Sequence, residues 1–166
     1  FQNQLPPQRI EKFDTTRVGS SGSPAFPYSK LRQYPEFQRR FGDRLHKHLF
    51  NDGAMTVTRN TERFDAMTTR IREAMIVESA RWGDVNKGDP QNITLTRNEH
   101  WDSEIAWLRD TYLTTRNDFM IERFRAIDMY PAIDAPLFSQ HGGSVPSGFN
   151  LSISAPAGNI YYTTDG

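Results

Sequence analysis

From Pro35 the apolar positions recur every four residues, at Phe37, Phe41, Leu45 and Leu49, while Arg39, Arg40, Asp43, Arg44 and Lys47 take the rest of the circumference. That spacing stacks the apolar side chains on one face of a 3.6-residue period and predicts an amphipathic helix. Proline gives up no useful N–H in a first helical turn, so Pro35 starts this helix, behind a shorter one carrying Tyr28, Leu31 and Tyr34. Asn51-Asp52-Gly53 ends it. A second helix is expected from Thr56 or Thr58 to about Trp82, turning Phe64, Met67, Ile71, Met75 and Ile76 inward, with Gly83 as its C-terminal stop. Residues 84–95 read as a polar loop. Thr96-Arg97-Asn98-Glu99 then fits a capping box, in which the Thr96 hydroxyl accepts the Glu99 amide and the Glu99 carboxylate reaches back. The helix behind it buries Trp101, Ile105, Leu108 and Tyr112, with Trp107 nearby. Thr114 to Asn117 break it, and a fourth helix carries Phe119, Ile121, Phe124 and Ile127 up to Pro131.

Past Pro131 the period changes. Pro136–His141, Phe149–Ala155 and Asn159–Thr164 read as strands, with Leu151-Ser152-Ile153-Ser154 alternating and Gly142-Gly143, Pro146, Gly148 and Pro156-Ala157-Gly158 between them. Three strands are too few to close a sandwich, so this segment reads as an incomplete β-sandwich. Charge changes at the same place: all 20 Lys and Arg precede position 126, and residues 131–166 hold only Asp134 and Asp165 as ionised groups besides the chain end. The expected organisation is therefore a long loop region over 1–27, a helical part over 28–130, a linker over 131–135 and a truncated β module over 136–166. The fold class is mainly α, followed by strands. Phe1 in place of Met, and an end at Asp165-Gly166 beside a strand, suggest a piece of a longer, multidomain chain.

Composition narrows the functional classes. Leu, Ile, Val and Phe make 35 of 166 residues, above the level at which a chain fails to form a core, and the formal net charge is +0. A balanced chain has no global field, so nucleic acid is not an expected partner. Mean hydropathy is −0.70 and no apolar run approaches the ~20 residues of a membrane span. The absence of cysteine excludes disulfides, thiolate zinc sites and cysteine nucleophiles.

Candidate chemistry is sparse. His46 and His48 lie two apart on a predicted helix, point to different sides and cannot share an ion, and His100 has Asp102 and Glu104 near it but no second histidine at usable spacing. Gly19-Ser20-Ser21-Gly22-Ser23 lacks the Gly-Lys-Ser/Thr and the immediate helix of a phosphate loop and reads as a flexible loop. Arg39, Arg40, Arg44 and Lys47 read as a solvated face. The densest polar and aromatic cluster is Glu78-Ser79-Ala80-Arg81-Trp82-Gly83-Asp84. There Trp82 is expected to be buried, with Arg81 pairing to Glu78 or Asp84 at the helix end. Together with Thr96 and Glu99 these residues are expected to form a structural corner, with no catalytic, cofactor or metal residue among them.

Several of these stretches carry a resemblance. Ser23-Pro24-Ala25-Phe26, Leu31-Arg32-Gln33-Tyr34-Pro35-Glu36-Phe37 and the helix after it to Asn51-Asp52-Gly53-Ala54 resemble the C-terminal part of bacterial CotH-kinase-family proteins. The Glu78–Asp84 cluster, the Thr96-Arg97-Asn98-Glu99-His100-Trp101 helix start, and Phe124-Arg125-Ala126 before Tyr130-Pro131 follow in the same order. The likeness covers about residues 15–131; Val57 departs from it, standing where relatives usually have proline. Residues 135–166 are similar to the immunoglobulin-like module at the C-terminus of chitobiase/β-hexosaminidase-type proteins. There the likeness rests on Ala135-Pro136-Leu137-Phe138-Ser139, Gly142-Gly143 and Gly158-Asn159-Ile160-Tyr161-Tyr162-Thr163-Thr164-Asp165-Gly166.

The resemblance implies the C-lobe-like helical part of a protein-kinase-like fold, in a secreted or surface bacterial protein moving the ATP γ-phosphate to Ser/Thr of a coat or surface protein. ATP and Mg are then expected for the intact parent and no cofactor for this stretch, because the lysine, the Asp near the hydroxyl and the metal-binding acids of relatives lie upstream of Phe1. Glu11 and Asp14 match none of them. The β module implies contacts with the cell surface or glycans. The alternative is a non-enzymatic surface or adhesion protein with a degenerate kinase-like region.

Overall fold

The computed structural model describes residues 22, 24–84 and 93–164, so most of the 1–27 loop, including all of the Gly19–Ser23 stretch but Gly22, the middle of the 84–95 loop and Asp165-Gly166 lie outside the described residues. The chain is mainly helical, with 56% helix and two short strands. Helix α1 (Phe26–Leu31) precedes α2 (Pro35–Leu49). The pyrrolidine ring of Pro35 forces the residue before it out of the helical region, and Tyr34 duly stands as N-cap at φ −99°, ψ 125°. Tyr28 brings α1 onto the apolar stripe of α2, its ring 6.1 Å from Phe37 and 5.7 Å from Phe41. Phe41 in turn meets Phe124 edge-on at 5.2 Å. The stripe is thus half-buried against aromatic partners, as its period predicts. Asn51 leaves the helix at φ 55°, a left-handed conformation that asparagine tolerates better than most residues. Thr56 then caps α3 (Val57–Ile71), its hydroxyl accepting the Arg59 amide at 3.4 Å.

The single helix expected from Thr56 to Trp82 is two. After Ile71 the ladder is interrupted at Arg72-Glu73, and α4 (Ala74–Trp82) starts with the Ile76 amide reaching the Glu73 carbonyl three residues back at 3.2 Å. Both bend residues are engaged elsewhere. Arg72 donates to Asp102 through Nε at 3.1 Å and Nη2 at 2.7 Å, and Arg97 donates to Glu73 at 3.3 Å. Of the five side chains expected inward, Phe64 and Met75 are half-buried while Met67, Ile71 and Ile76 are exposed. Five apolar positions over two bent segments sweep more of the circumference than one neighbouring helix covers.

The third and fourth expected helices are one run. A π-helical turn at Arg97–Trp101 passes into α5 (Asp102–Trp107), a second π turn at Leu108–Tyr112 and α6 (Leu113–Ala126) without a break. Thr114 and Thr115 sit inside it, their hydroxyls donating back to the Asp110 carbonyl at 2.9 Å and the Thr111 carbonyl at 2.7 Å. A π turn holds more residues than an α turn, so each one shifts the apolar period of the residues after it. That slip after Tyr112 reads as a helix end in the sequence.

The helices meet at a small centre. Ile121, Met129 and Tyr130 are the buried apolar residues among those described. Gly42 on α2 is buried against them, where a Cβ would lie 3.3 Å from Pro131 Cδ and 3.7 Å from the Met129 carbonyl oxygen. Glycine therefore sets how closely α2 approaches the turn after α6. Beyond the turn, β1 (Leu137–Phe138) pairs antiparallel with β2 (Ile153–Ser154), Leu137 opposite Ser154 and Phe138 opposite Ile153. The strand expected over Asn159–Thr164 is not formed. Its backbone has no ladder partner among the described residues, and Tyr161 and Tyr162 stand outward, 88% and 74% exposed.

Candidate functional site

The corner singled out in the sequence forms where α4 ends. The Gly83 amide bonds the Ser79 carbonyl at 2.9 Å, and the Leu95 amide returns to the Gly83 carbonyl at 2.8 Å. A Cβ on Gly83 would collide with both the Leu95 and Ser79 carbonyl oxygens, while its φ of −58° is ordinary. Glycine is needed here for close approach, not for a left-handed turn. Glu78, Trp82 and Thr96 line a hollow of about 320 Å³ with His100 and Trp101; Arg81, Asp84 and Glu99 do not.

Three local expectations change. Trp82 is not buried but 52% exposed, standing at the rim of this hollow at the last residue of α4. The Arg81 guanidinium lies over the Trp82 ring, 4.9 Å from the centroid, a contact the helix-end spacing did not suggest. The capping box is half made. The Glu99 amide donates to Thr96 Oγ1 at 3.3 Å, but the Thr96 amide donates to His100 Nδ1 at 3.1 Å, so the imidazole takes the place expected for the Glu99 carboxylate. The π turn explains this, since it carries position 100 back toward the cap.

A larger cleft, about 650 Å³, lies between α2, α6 and the strand pair. Its inner wall joins residues far apart in the chain. His46 Nδ1 and the Tyr130 hydroxyl share a hydrogen bond of 3.0 Å across 84 positions. The imidazole stacks on Phe50 at 4.7 Å and 15°, and Phe50 lies nearly parallel to Tyr130 at 6.3 Å. Arg125 lies over the Tyr130 ring, 5.4 Å from its centroid, donates to the Pro131 carbonyl at 3.0 Å and pairs with Asp134. Burial pushes the His46 pKa below its usual value, helped by the nearby His141, against the pull of Asp43 and Asp134. Burial raises the Tyr130 phenol, with Arg125 opposing and Asp134 adding to the rise. Both shifts favour the neutral form. His46 has one local signal, its i,i+4 spacing to Phe50; the sequence carried no signal for Tyr130, Arg125 and Asp134 as its neighbours.

Among the described residues no three His, Asp or Glu side chains converge as ligands for an ion. No described helix is long and apolar enough to cross a membrane. Comparison with protein-family models, curated proteins and solved structures finds no match to this chain.

Proposed function

We propose that this chain is the C-lobe-like helical part of a CotH-kinase-like domain followed by the start of a chitobiase-type immunoglobulin-like module. The parent would be a secreted or surface bacterial protein that transfers the ATP γ-phosphate to Ser/Thr of a protein substrate. The observation that carries the reading is the ordered set of motifs resembling that family. Their positions support it: Tyr34-Pro35 starts α2, Trp82-Gly83 ends α4, Thr96 caps the long helical run, Phe124-Arg125-Ala126 ends it, and Tyr130 lies in the core. Each motif stands where a helix begins, ends or packs, as expected of a region that supports a site supplied by other residues. Positioning and charge neutralisation dominate phosphoryl transfer, so the helical part alone is expected to have no turnover.

The test is transfer of labelled γ-phosphate to a Ser/Thr-rich acceptor by the product of the whole reading frame beside residues 1–166 alone. Transfer by the former and none by the latter is the expected pair. Absence of nucleotide binding and transfer from the whole product would favour the non-enzymatic surface protein. Magnesium-dependent turnover by residues 1–166, abolished by a point change within them, would refute the assignment of chemistry elsewhere.

A further inference from the structure

The strand pair has an open edge, and the same chain holds an unpaired stretch of strand composition. Leu137 stands opposite Ser154 and Phe138 opposite Ile153, so the register continues to Ser139 opposite Ser152. The Ser139 amide donates to the Ser152 carbonyl at 2.9 Å, which makes these two a hydrogen-bonded pair. Alternation along an antiparallel ladder then turns the backbone of Leu151 and Ile153 outward on β2, and that of Pro136 and Phe138 outward on β1. Pro136 has no amide to offer, which guards the β1 edge. The β2 edge has no such guard, and the Leu151 and Ile153 amides have no partner among the described residues. Asn159–Thr164 carries an amide at every position, is rich in β-branched and aromatic residues, and is likewise unpaired among the described residues. Exposed edges are normally guarded by charge, lysine above all, yet residues 135–164 contain no Lys, Arg, Asp or Glu.

We propose that two copies of this chain exchange these stretches, residues 159–164 of each pairing antiparallel with the open β2 edge of the other in a two-fold symmetric dimer. The chain itself selects the occupant. Each copy carries one open edge and one unpaired stretch, so a single reciprocal exchange satisfies both and the assembly closes at two. The stretch follows β2 after four residues, 155–158, with bends over 156–158. Exchange across so short a link makes the pairing that a hairpin would make within one copy. With no ionised side chain over 135–164, the two copies meet there without like-charge repulsion. Main-chain bonds supply the attraction, and Leu151, Ile160 and Tyr161, all exposed in one copy, lose contact with water. The inference does not depend on the kinase-like reading.

The test is the mass of the 166-residue chain in solution, followed by light scattering at rising concentration. It should climb from the 19.1 kDa of one chain to twice that and stop, with a dissociation constant of about 100 µM, as suits a small interface. Tyr161→Pro with Tyr162→Pro removes neighbouring amides from the exchanged stretch, and Leu151→Pro removes one from the edge. Each variant should weaken dimerisation roughly tenfold or more. The melting temperature of one copy should not change, because all three side chains are exposed and none of these amides has a partner among the described residues. Mixing the two variants should restore part of the association, since one intact stretch then meets one intact edge. A mass that stays at one chain, a mass that climbs past two, proline variants that dimerise as before, or mixing without effect would overturn the inference. So would slow hydrogen exchange at Tyr161 and Tyr162 in dilute solution, which would put the stretch on its own β2. None of these outcomes bears on phosphate transfer by the parent.

Discussion

Replacing Met129 by alanine tests where the stability of this chain resides. Met129 is 1% exposed, the one large side chain among those described that is fully enclosed, and it follows α6 directly, its amide bonding the Phe124 carbonyl at 2.8 Å. The substitution removes three heavy atoms from full burial, worth about 2.4 kcal/mol at ~0.8 per methylene-sized group. Gly42 and Pro131 are fixed by backbone, so the space should collapse incompletely and the cavity adds to the loss. A total of about 3 kcal/mol results, within the ~2–5 typical of such changes. For a chain of this size that lowers the melting temperature by roughly 6–12 °C. Met67→Ala is the internal control, since the same side chain there is 66% exposed and its loss should change stability by less than about 0.5 kcal/mol. Urea unfolding of both variants, followed by circular dichroism at unchanged slope, gives the comparison. Equal effects, or a loss below about 1 kcal/mol at Met129, would refute a centre built on Ile121, Met129 and Tyr130.

Three further outcomes are expected. Trp82→Ala should cost only about 1 kcal/mol or less in thermal unfolding, because its ring is half exposed and its main partner is the stacked Arg81. Asp102→Ala should destabilise by about 1 kcal/mol in denaturant titration, because its two bonds to Arg72 are partly solvent-screened, and Arg72→Ala in that background should add almost nothing. Stability should fall as pH drops below 6.5: the folded state holds His46 below that value, so the unfolded chain takes up the proton first. His46→Gln should flatten that slope in melting temperature measured across pH 7 to 5.

Much of the helical part was legible because local chemistry decided it. Pro35 starts α2, Thr56 caps α3, Thr96 caps the long run and the Phe37–Leu49 stripe is half-buried, each through contacts within a few residues or one helical face. The features that escaped depend on distant partners. The bend at Arg72-Glu73 answers to Asp102 and Arg97, thirty and twenty-four positions away. The two π turns change the residue count per turn, so an α-helical period wrongly ends the run at Thr114. Strand patterning around Tyr161 could not supply the neighbouring strand it would need. The cleft was invisible for the same reason: His46 and Tyr130 lie 84 positions apart, and nothing near either announces the other.

The kinase-like reading is tested most directly by the translated sequence of the gene preceding the codon for Phe1, determined by sequencing the genomic DNA. It predicts an in-frame upstream region with a lysine for the phosphates and, shortly before Phe1, a Trp-Asp-x-Glu-like acidic motif for the metal. A reading frame that continues upstream with that lysine and those acids replaced would contradict it.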